Sequence, residues 1–135
     1  MRNVSIRAIV EGQVEGQAIV SLTPISFLGG VNPKTGVITD PENILYGKSI
    51  SNKIFVFPEG IGSTVGSYVI YGLKINGVAP LAMVANQAET IVIAGAILAN
   101  IPFVDHPDVD ITKVIVSGDN IKIDTINKII KIKRD

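Results

Sequence analysis

The sequence predicts a single α/β domain in which a central α/β layer is flanked by β ribbons. Three observations predict it. Short β-branched segments dominate both ends of the chain, a strand, a glycine-rich loop and a helix follow one another in the middle, and 135 residues supply one domain rather than two. We therefore treat residues 1–135 as one strand-rich domain.

The first part of the chain alternates between apolar and polar side chains. Apolar residues recur at a period of two from Val4 to Val10, which is typical of a strand with one buried face. The glycines and glutamates of residues 11–16 can turn the chain. We therefore predict that this strand pairs with a second strand over residues 17–22 as a ribbon.

The middle of the chain holds the α/β layer. Residues 54–57 are continuously apolar, as expected of a strand buried on both faces. A glycine-rich loop follows at residues 59–66, and apolar residues then recur at helical spacing until Asn76 and Gly77 end the helix. Two more strands of this layer are predicted at residues 80–84 and 91–98.

The C-terminal part predicts a β meander. Its strands are short β-branched runs at residues 113–116, 120–123 and 128–133, separated by turn residues. Lysines fall between isoleucines at strand spacing, so we interpret them as the solvated face of a sheet rather than a binding patch.

Two segments carry too many glycines and prolines for a helix or a strand. They are residues 29–36 and 101–108, and both are predicted to be loops. Loops on a rigid layer are where binding sites are usually built.

Charge and composition exclude several functions. Twelve Lys and Arg residues balance 12 Asp and Glu residues, so the chain has no positive excess for nucleic acid or a membrane surface. It has no cysteine and one histidine, which excludes disulfides and thiolate-bound metals, and we expect no metal site within the chain. Charged residues make up 18% of the chain, against roughly 25% in an average domain. This low fraction predicts either that a partner covers some apolar surface or that the core is compact and thermostable, although thermophile proteins usually carry more charged residues.

The sequence also bears on location. The most apolar stretch, residues 90–99, is about half the ~20 residues that a membrane helix needs. Glu11 and Glu15 interrupt the apolar run that could serve as a signal core. We expect a cytoplasmic protein.

The loop before the predicted helix has the sharpest local chemistry. Gly60 and Gly62 allow backbone N–H groups to converge at a helix N-terminus, which favours an anion or an oxyanion. No Lys-Ser/Thr pair completes a P-loop, and Gly66 comes one residue late for a dinucleotide fingerprint. The alternative is purely structural, with Ser63 or Thr64 as an N-cap.

Other catalytic arrangements are weaker. The single histidine, His106, lies in a predicted loop and gives no convincing base for Ser63. Asp105, Asp108 and Asp110 lack the glycine turn of a calcium loop.

Four segments occur in this order along the chain: GGVNPKTG at residues 29–36, FPEGIGSTVGS at 57–67, AP at 79–80 and ANIPFVD at 99–105. Together they resemble the small subunit of the aconitase X family, and within it the archaeal branch that acts on phosphomevalonate.

The resemblance implies a swivelling β/β/α domain that closes over a site on a large subunit. It implies a hydro-lyase that dehydrates (R)-5-phosphomevalonate to trans-anhydromevalonate 5-phosphate in an archaeal mevalonate pathway. A 4Fe–4S cluster on the large subunit would act as the Lewis acid, and the small subunit would supply the base. The absence of cysteine here agrees with that division.

The resemblance also assigns residues. The serine base of aconitase-like swivel domains falls on Ser63. Hydrolytic aconitases follow the serine pair with an arginine, whereas this chain has Thr64 and Val65, so we expect a cation from the large subunit. Ser67 is the alternative serine, but its hydroxyl is expected to bond back to a carbonyl of the preceding turn. The candidates for substrate or oxyanion binding are Gly62, Thr64, Asn32, Thr35 and Asp105.

Two other functions stay open at this point. One is the small subunit of a cis-3-hydroxyproline dehydratase, whose substrate carries no phosphate. The other is a non-enzymatic anion-binding or assembly module in which Ser63 only caps a helix.

Overall fold

Eight strands form one mixed sheet, with four helices between them, in the computed structural model, which describes residues 2–134. The strands are β1 (Arg2–Ser5), β2 (Arg7–Val10), β3 (Gln13–Val20), β4 (Ile54–Glu59), β5 (Ala82–Gln87), β6 (Phe103–Asp105), β7 (Asn120–Asp124) and β8 (Ile129–Lys133). The helices are α1 (Phe27–Gly30), α2 (Gly66–Ile75), α3 (Thr90–Ala99) and α4 (Ile111–Val114).

The centre of the sheet is parallel. Strands β3, β4, β5 and β6 lie side by side in that order, and α2 and α3 connect β4 to β5 and β5 to β6. The carboxyl ends of these strands therefore meet at one edge of the sheet. The predicted strand at residues 54–57 and the predicted helix that ends at Asn76 are both confirmed.

The remaining strands curl the sheet over. Antiparallel pairing joins β1 to β8, β8 to β7, and β7 to the first half of β3, and we call this part the ribbon. Strands β1 and β2 stand at opposite ends of the strand order, yet only Ile6 separates them in the chain. The sheet must therefore curl until its two ends meet.

Two cores result, one on each side of the central strands. On β4, Ile54 and Val56 belong to the core under the ribbon, whereas Phe55 and Phe57 belong to the core under α2 and α3. All four side chains are fully buried, as predicted for a strand buried on both faces. Ribbon, central sheet and helices thus form three layers, the expected β/β/α arrangement.

The two cores are filled differently. The helix-side core holds all four phenylalanines, and the rings of Phe55 and Phe57 lie 4.9 Å apart. The ribbon-side core is built almost wholly from β-branched residues. Its members include Val4, Val56, Val84, Ile111, Ile121, Ile123, Ile130 and Ile132.

The strand predicted at residues 91–98 is wrong, because these residues form α3. The helix is apolar on all sides, so no helical periodicity distinguishes it from a buried strand. Tertiary packing decides the matter: a Cβ at Gly95 would stand 2.7 Å from Ile70 Cδ1, which shows how closely α3 and α2 approach. No helix within residues 2–134 is long and apolar enough to cross a membrane.

The predicted N-terminal ribbon is also wrong in its pairing. Strand β1 pairs with β8 and β2 pairs with β6, and neither pairs with β3. Residues 13–16 are not a turn, since they lie inside β3. Pairing with distant strands satisfies the backbone of this segment, and local turn signals cannot reveal it.

Two further local predictions need correction. Residues 113–116 are not a strand. Asp110 accepts a hydrogen bond from the Thr112 N–H and caps α4, which ends at Val114 and so includes the first two residues of this segment. The strands predicted at 120–123 and 128–133 are confirmed as β7 and β8. The predicted loop 101–108 contains β6, which is too short to show a periodic pattern. The predicted loop 29–36 is correct apart from the end of α1.

Candidate functional site

The serine loop, residues 60–65, leaves the sheet at the carboxyl end of β4 and enters α2. Its first part is held as an extension of the sheet: Ile25 N–H donates to Glu59 O over 3.0 Å, and Ile61 N–H donates to Ile25 O over 2.9 Å. These two hydrogen bonds fix the position at which the loop begins.

Gly62 makes the bend that follows. Its φ is +108°, a region that side chains rarely adopt, and a Cβ there would stand 2.9 Å from Ser26 Oγ. Glycine is therefore required at this position both for its backbone conformation and for the close approach of Ser26.

Ser63 is exposed at the tip of this loop. Its Oγ accepts a hydrogen bond from the Val65 N–H at 3.0 Å, and its carbonyl accepts one from the Gly66 N–H at 2.9 Å. A backbone donor is thus already aimed at the hydroxyl oxygen. The N-cap position of α2 is Val65 rather than Ser63 or Thr64, and no side chain caps this helix, so the Ser63 hydroxyl bonds the residue just before the first turn.

The backbone around Ser63 has donors to spare. Within residues 2–134, the N–H groups of Gly62, Ser63 and Thr64 donate to no acceptor. These groups precede the first turn of α2, where the helix dipole favours negative charge. Thr64 contributes its backbone to this arrangement, and its carbonyl is occupied by Ser67.

Ser67 is placed as predicted. Its hydroxyl donates to the Thr64 carbonyl over 2.9 Å, and the residue is buried. An occupied, buried hydroxyl is a poor proton acceptor for an external substrate, so Ser63 is the accessible serine.

A second helix begins beside the serine loop. The Glu89 carboxylate caps α3 by accepting from the N–H groups of Ile91 and Val92. A Cβ at Gly60 would stand 3.7 Å from Glu89 Oε2 and 2.4 Å from Val92 Cγ2. The sequence does not point to Glu89, because glutamate is not among the residues that usually cap the N-terminus of a helix.

Asp105 lies at the same edge, at the end of β6, and is fully buried. Arg7 binds it through Nε at 2.8 Å and Nη2 at 2.9 Å, and the Ala88 N–H and His106 Nδ1 donate to its Oδ2 over 2.8 and 2.9 Å. Burial alone would raise the pKa of Asp105, but the hydrogen bonds from Arg7, Ala88 and His106 outweigh it and hold that pKa below its usual value.

Both carboxylate oxygens of Asp105 are therefore already bonded by groups of this chain. Its bond to Ala88 fixes the loop between β5 and α3, which carries Glu89 and lies against Gly60. We interpret Asp105 as a residue that positions this edge rather than one that contacts substrate. Arg7 was missed because its partner is 98 positions away in the chain.

Asn32 and Thr35 lie elsewhere. Asn32 Oδ1 accepts from the Lys34 N–H and Thr35 Oγ1 from the Val37 N–H, so both side chains shape their own loop. That loop packs on the far end of α2, where Asn76 Nδ2 donates to Pro33 O over 2.9 Å. A ten-residue helix is about 15 Å long, so the structure does not bring these two residues to Ser63.

Known proteins share this architecture from end to end. The aconitase X swivel domain family matches residues 3–132. This chain belongs to the aconitase X swivel-domain family. In this swivel domain, the exposed Ser63 lies at the carboxyl edge of the sheet, on a glycine loop before a helix. That loop is part of one of the four segments on which the resemblance rests.

Several relatives of this swivel domain share one name. The phosphomevalonate dehydratase small subunit of Thermococcus kodakarensis is 51% identical over 129 residues, which cover 96% of this chain and 95% of that protein. The protein of the same name from Methanococcoides burtonii is 46% identical over 129 residues, covering 96% and 94%. The name of these relatives, small subunit, implies that each of them has a larger partner.

Two solved structures are similar to this chain over nearly its whole length. The crystal structure of Thermococcus kodakaraensis aconitase X in its holo-form matches with a TM-score of 0.94 at 48% identity, covering 99% of this chain and all (100%) of that one. A solution NMR structure of a UPF0107 protein matches with a TM-score of 0.89 at 38% identity, covering 98% and 100%.

The swivel domain itself offers no evident metal site. Within residues 2–134, no three His, Cys, Asp or Glu side chains lie close enough together to hold a metal ion. The chain has no cysteine at all, so it cannot itself supply thiolate ligands to an iron–sulfur cluster.

Proposed function

We propose that this chain is the small subunit of a phosphomevalonate dehydratase and that Ser63 is its general base. The observation that carries the proposal is the setting of Ser63, an exposed hydroxyl with a backbone donor on its oxygen. Relatives that bear this enzyme name and align with at least 94% of their own length support the choice of reaction.

The chemical step assigned to this chain is proton removal. The deprotonated Ser63 Oγ takes a proton from the carbon adjacent to the one that carries the hydroxyl group. The electron pair of the broken C–H bond becomes the second bond of the new C=C, and the C–O bond breaks. The proton and the departing hydroxide together make the water that is lost.

A serine hydroxyl needs help to give up its proton. The Val65 N–H, 3.0 Å from Oγ, stabilises the alkoxide directly. The positive end of α2 adds to this effect, since it lies within one turn of Ser63. Gly62 and Thr64 contribute backbone donors and loop shape, and Asp105 holds the neighbouring loop in place.

Other parts of the proposed enzyme belong to the large subunit. The residues of this chain do not fit a 4Fe–4S cluster, so we assign the cluster to the partner, and activity is expected only from the assembled complex. The partner also supplies the cation near Ser63 and the group that binds the substrate phosphate. A cytoplasmic location stays a prediction.

The test replaces Ser63 with alanine in the reconstituted complex. Ser63→Ala removes the hydroxyl but keeps the backbone donors, so turnover of 5-phosphomevalonate should fall roughly 10²- to 10⁴-fold while the subunits still associate. Thr64→Ala and Ser67→Ala are the matched controls and should retain most of the turnover. Turnover, subunit affinity and melting temperature are measured for each variant.

The alternatives give different results in the same experiment. If Ser63 were only a cap, Ser63→Ala would cost about 1 kcal/mol of stability and leave turnover nearly unchanged. If the substrate were cis-3-hydroxyproline, the wild-type complex would dehydrate that compound and not the phosphorylated one. If the chain were an assembly module, neither substrate would react.

A further inference from the structure

An exposed apolar surface covers the outer side of the two central helices. It consists of Val65, Tyr68, Tyr71 and Ile75 along α2, together with Leu98 of α3, and we call it the helix-side surface. The exposed fractions of these residues are 46%, 69%, 41%, 65% and 57%, respectively. Large apolar side chains this exposed are common singly but unusual in a group.

The helix-side surface is continuous. Tyr68, Tyr71 and Ile75 recur every three or four residues, so they follow one side of α2, opposite the buried Ile70 and Leu73. Gly95 contacts Ile70 from α3, and Leu98 lies one turn further along the same side of that helix. Leu98 therefore extends the surface across the junction of the two helices.

Charge is scarce on this side of the molecule. Lys74 is the one charged residue of α2, and α3 has none. Anionic membranes and nucleic acids bind through clusters of Lys and Arg, which this surface lacks. Tyrosine and branched aliphatic residues without charge are typical of the core of a protein interface.

The position of the helix-side surface indicates its occupant. It begins at Val65, two residues after Ser63, on the same exposed loop. If Ser63 acts on a substrate held by the large subunit, the protein surface that surrounds the serine must face that subunit. The apolar stripe then continues the contact away from the reacting atoms.

We propose that the large subunit docks on the helix-side surface, with Tyr68 and Tyr71 near the centre of the contact. This inference rests on the proposed function, because the occupant is identified through Ser63. It adds the surface by which the chain recognises its partner and explains why the outer side of the helices is apolar.

A second apolar surface provides a matched control. Leu22, Ile44 and Val116 are 57%, 66% and 57% exposed and line a shallow depression next to the turn before β7. They are apolar and similarly exposed, but the residues that line this depression include none from α2 or α3. The proposal therefore predicts that charges placed there leave subunit binding intact.

The experiment measures the affinity of purified subunits by titration calorimetry, without substrate. Tyr68→Glu and Ile75→Glu should each weaken association at least about 30-fold, because each would place an unpaired charge in an apolar contact. Ile44→Glu and Val116→Glu should change the affinity less than about threefold. Thermal unfolding checks that each variant is folded, and Leu98→Glu on α3 replaces any α2 variant that is not.

Several outcomes would overturn the docking proposal. One is that Ile44→Glu weakens association while Tyr68→Glu does not, which would place the partner on the other surface. Another is that the isolated chain dimerises, that Tyr68→Glu abolishes the dimer, and that the affinity for the large subunit stays unchanged.

The same variants separate this inference from the proposed function. At saturating large subunit, Ile75→Glu should regain near-normal turnover, whereas Ser63→Ala should not. If Tyr68→Glu prevents association but the wild-type complex does not dehydrate 5-phosphomevalonate, the docking surface stands and the assigned reaction falls. Normal affinity of the Tyr68, Ile75 and Leu98 variants in an active complex would refute the surface alone.

Discussion

The helices and the ribbon cover opposite faces of the same central sheet, and they present different surfaces to the outside. On the ribbon, the residues that point away from the core are mostly polar, and Glu15, Lys122, Lys131 and Asn3 lie opposite one another across neighbouring strands. On the helices, the corresponding outer residues are Tyr68, Tyr71, Ile75 and Leu98.

The difference indicates how each layer is completed. The ribbon has one apolar face, which the ribbon-side core absorbs, and its lysines form the solvated face that the sequence predicts. The helices bury one side against the sheet and keep a second apolar side, which we propose is covered by the large subunit. Charged residues are therefore scarce mainly on the outer side of the helices.

Truncating each core is expected to have the largest effect on stability. Ile123→Ala under the ribbon should lower the free energy of unfolding by about 2–5 kcal/mol, and Phe57→Ala under the helices by about 3–5 kcal/mol, because both side chains are fully buried. Denaturant unfolding measures both. A loss below about 1 kcal/mol for Ile123→Ala would mean that the ribbon is not part of the cooperative fold.

A smaller effect is expected from the buried carboxylate at the site edge. The pKa of Asp105 is lowered in the folded chain, so its stabilising contribution is complete above the unfolded value of about 3.9 and is lost as pH falls through the folded pKa. Asp105→Asn should therefore cost about 1.5–3 kcal/mol at pH 7, and the difference from wild type should shrink in acid.

Urea unfolding at pH 7 and at several values between about 2 and 5 tests this linkage. The control is Asp119→Asn on the ribbon, where hydrogen bonds from Arg134 lower the pKa of Asp119. Its loss at pH 7 should be smaller, since Asp105 is fully buried and Asp119 is not. A constant gap between wild type and Asp105→Asn at all pH values would contradict the assigned role.

The smallest effect is expected on the outer side of the ribbon. Lys133 Nζ lies 3.3 Å from Glu15 Oε2, and both side chains are more than two-fifths exposed, at 43% and 48%. Solvent and salt screen such a pair, so Lys133→Ala should leave the melting temperature almost unchanged in about 1 M salt. A clear drop in the melting temperature under those conditions would show that side chains on the outer side of the ribbon stabilise the fold.

The part of the site that could be predicted from sequence is the part built by neighbouring residues. The bend at Gly62, the exposed Ser63 and the back-bonded Ser67 all arise within a few residues of one another. By contrast, the Arg7–Asp105 pair joins β2 to β6, and the resemblance that places Asn32 and Thr35 near the serine carries no distance.

The sequence by itself determined the strand–loop–helix unit around Ser63 and the terminal hairpin of β7 and β8, because periodicity and turn residues are local properties. Only the tertiary structure decided that residues 90–99 form a helix, that β1 and β2 separate to opposite ends of the sheet, and that Asp105 faces Arg7. An apolar, β-branched segment can be buried either as a strand paired with neighbouring strands or as a helix that bonds its own backbone. The close contact of Gly95 with Ile70 selects the helix, and the pairing of edge strands fixes the rest.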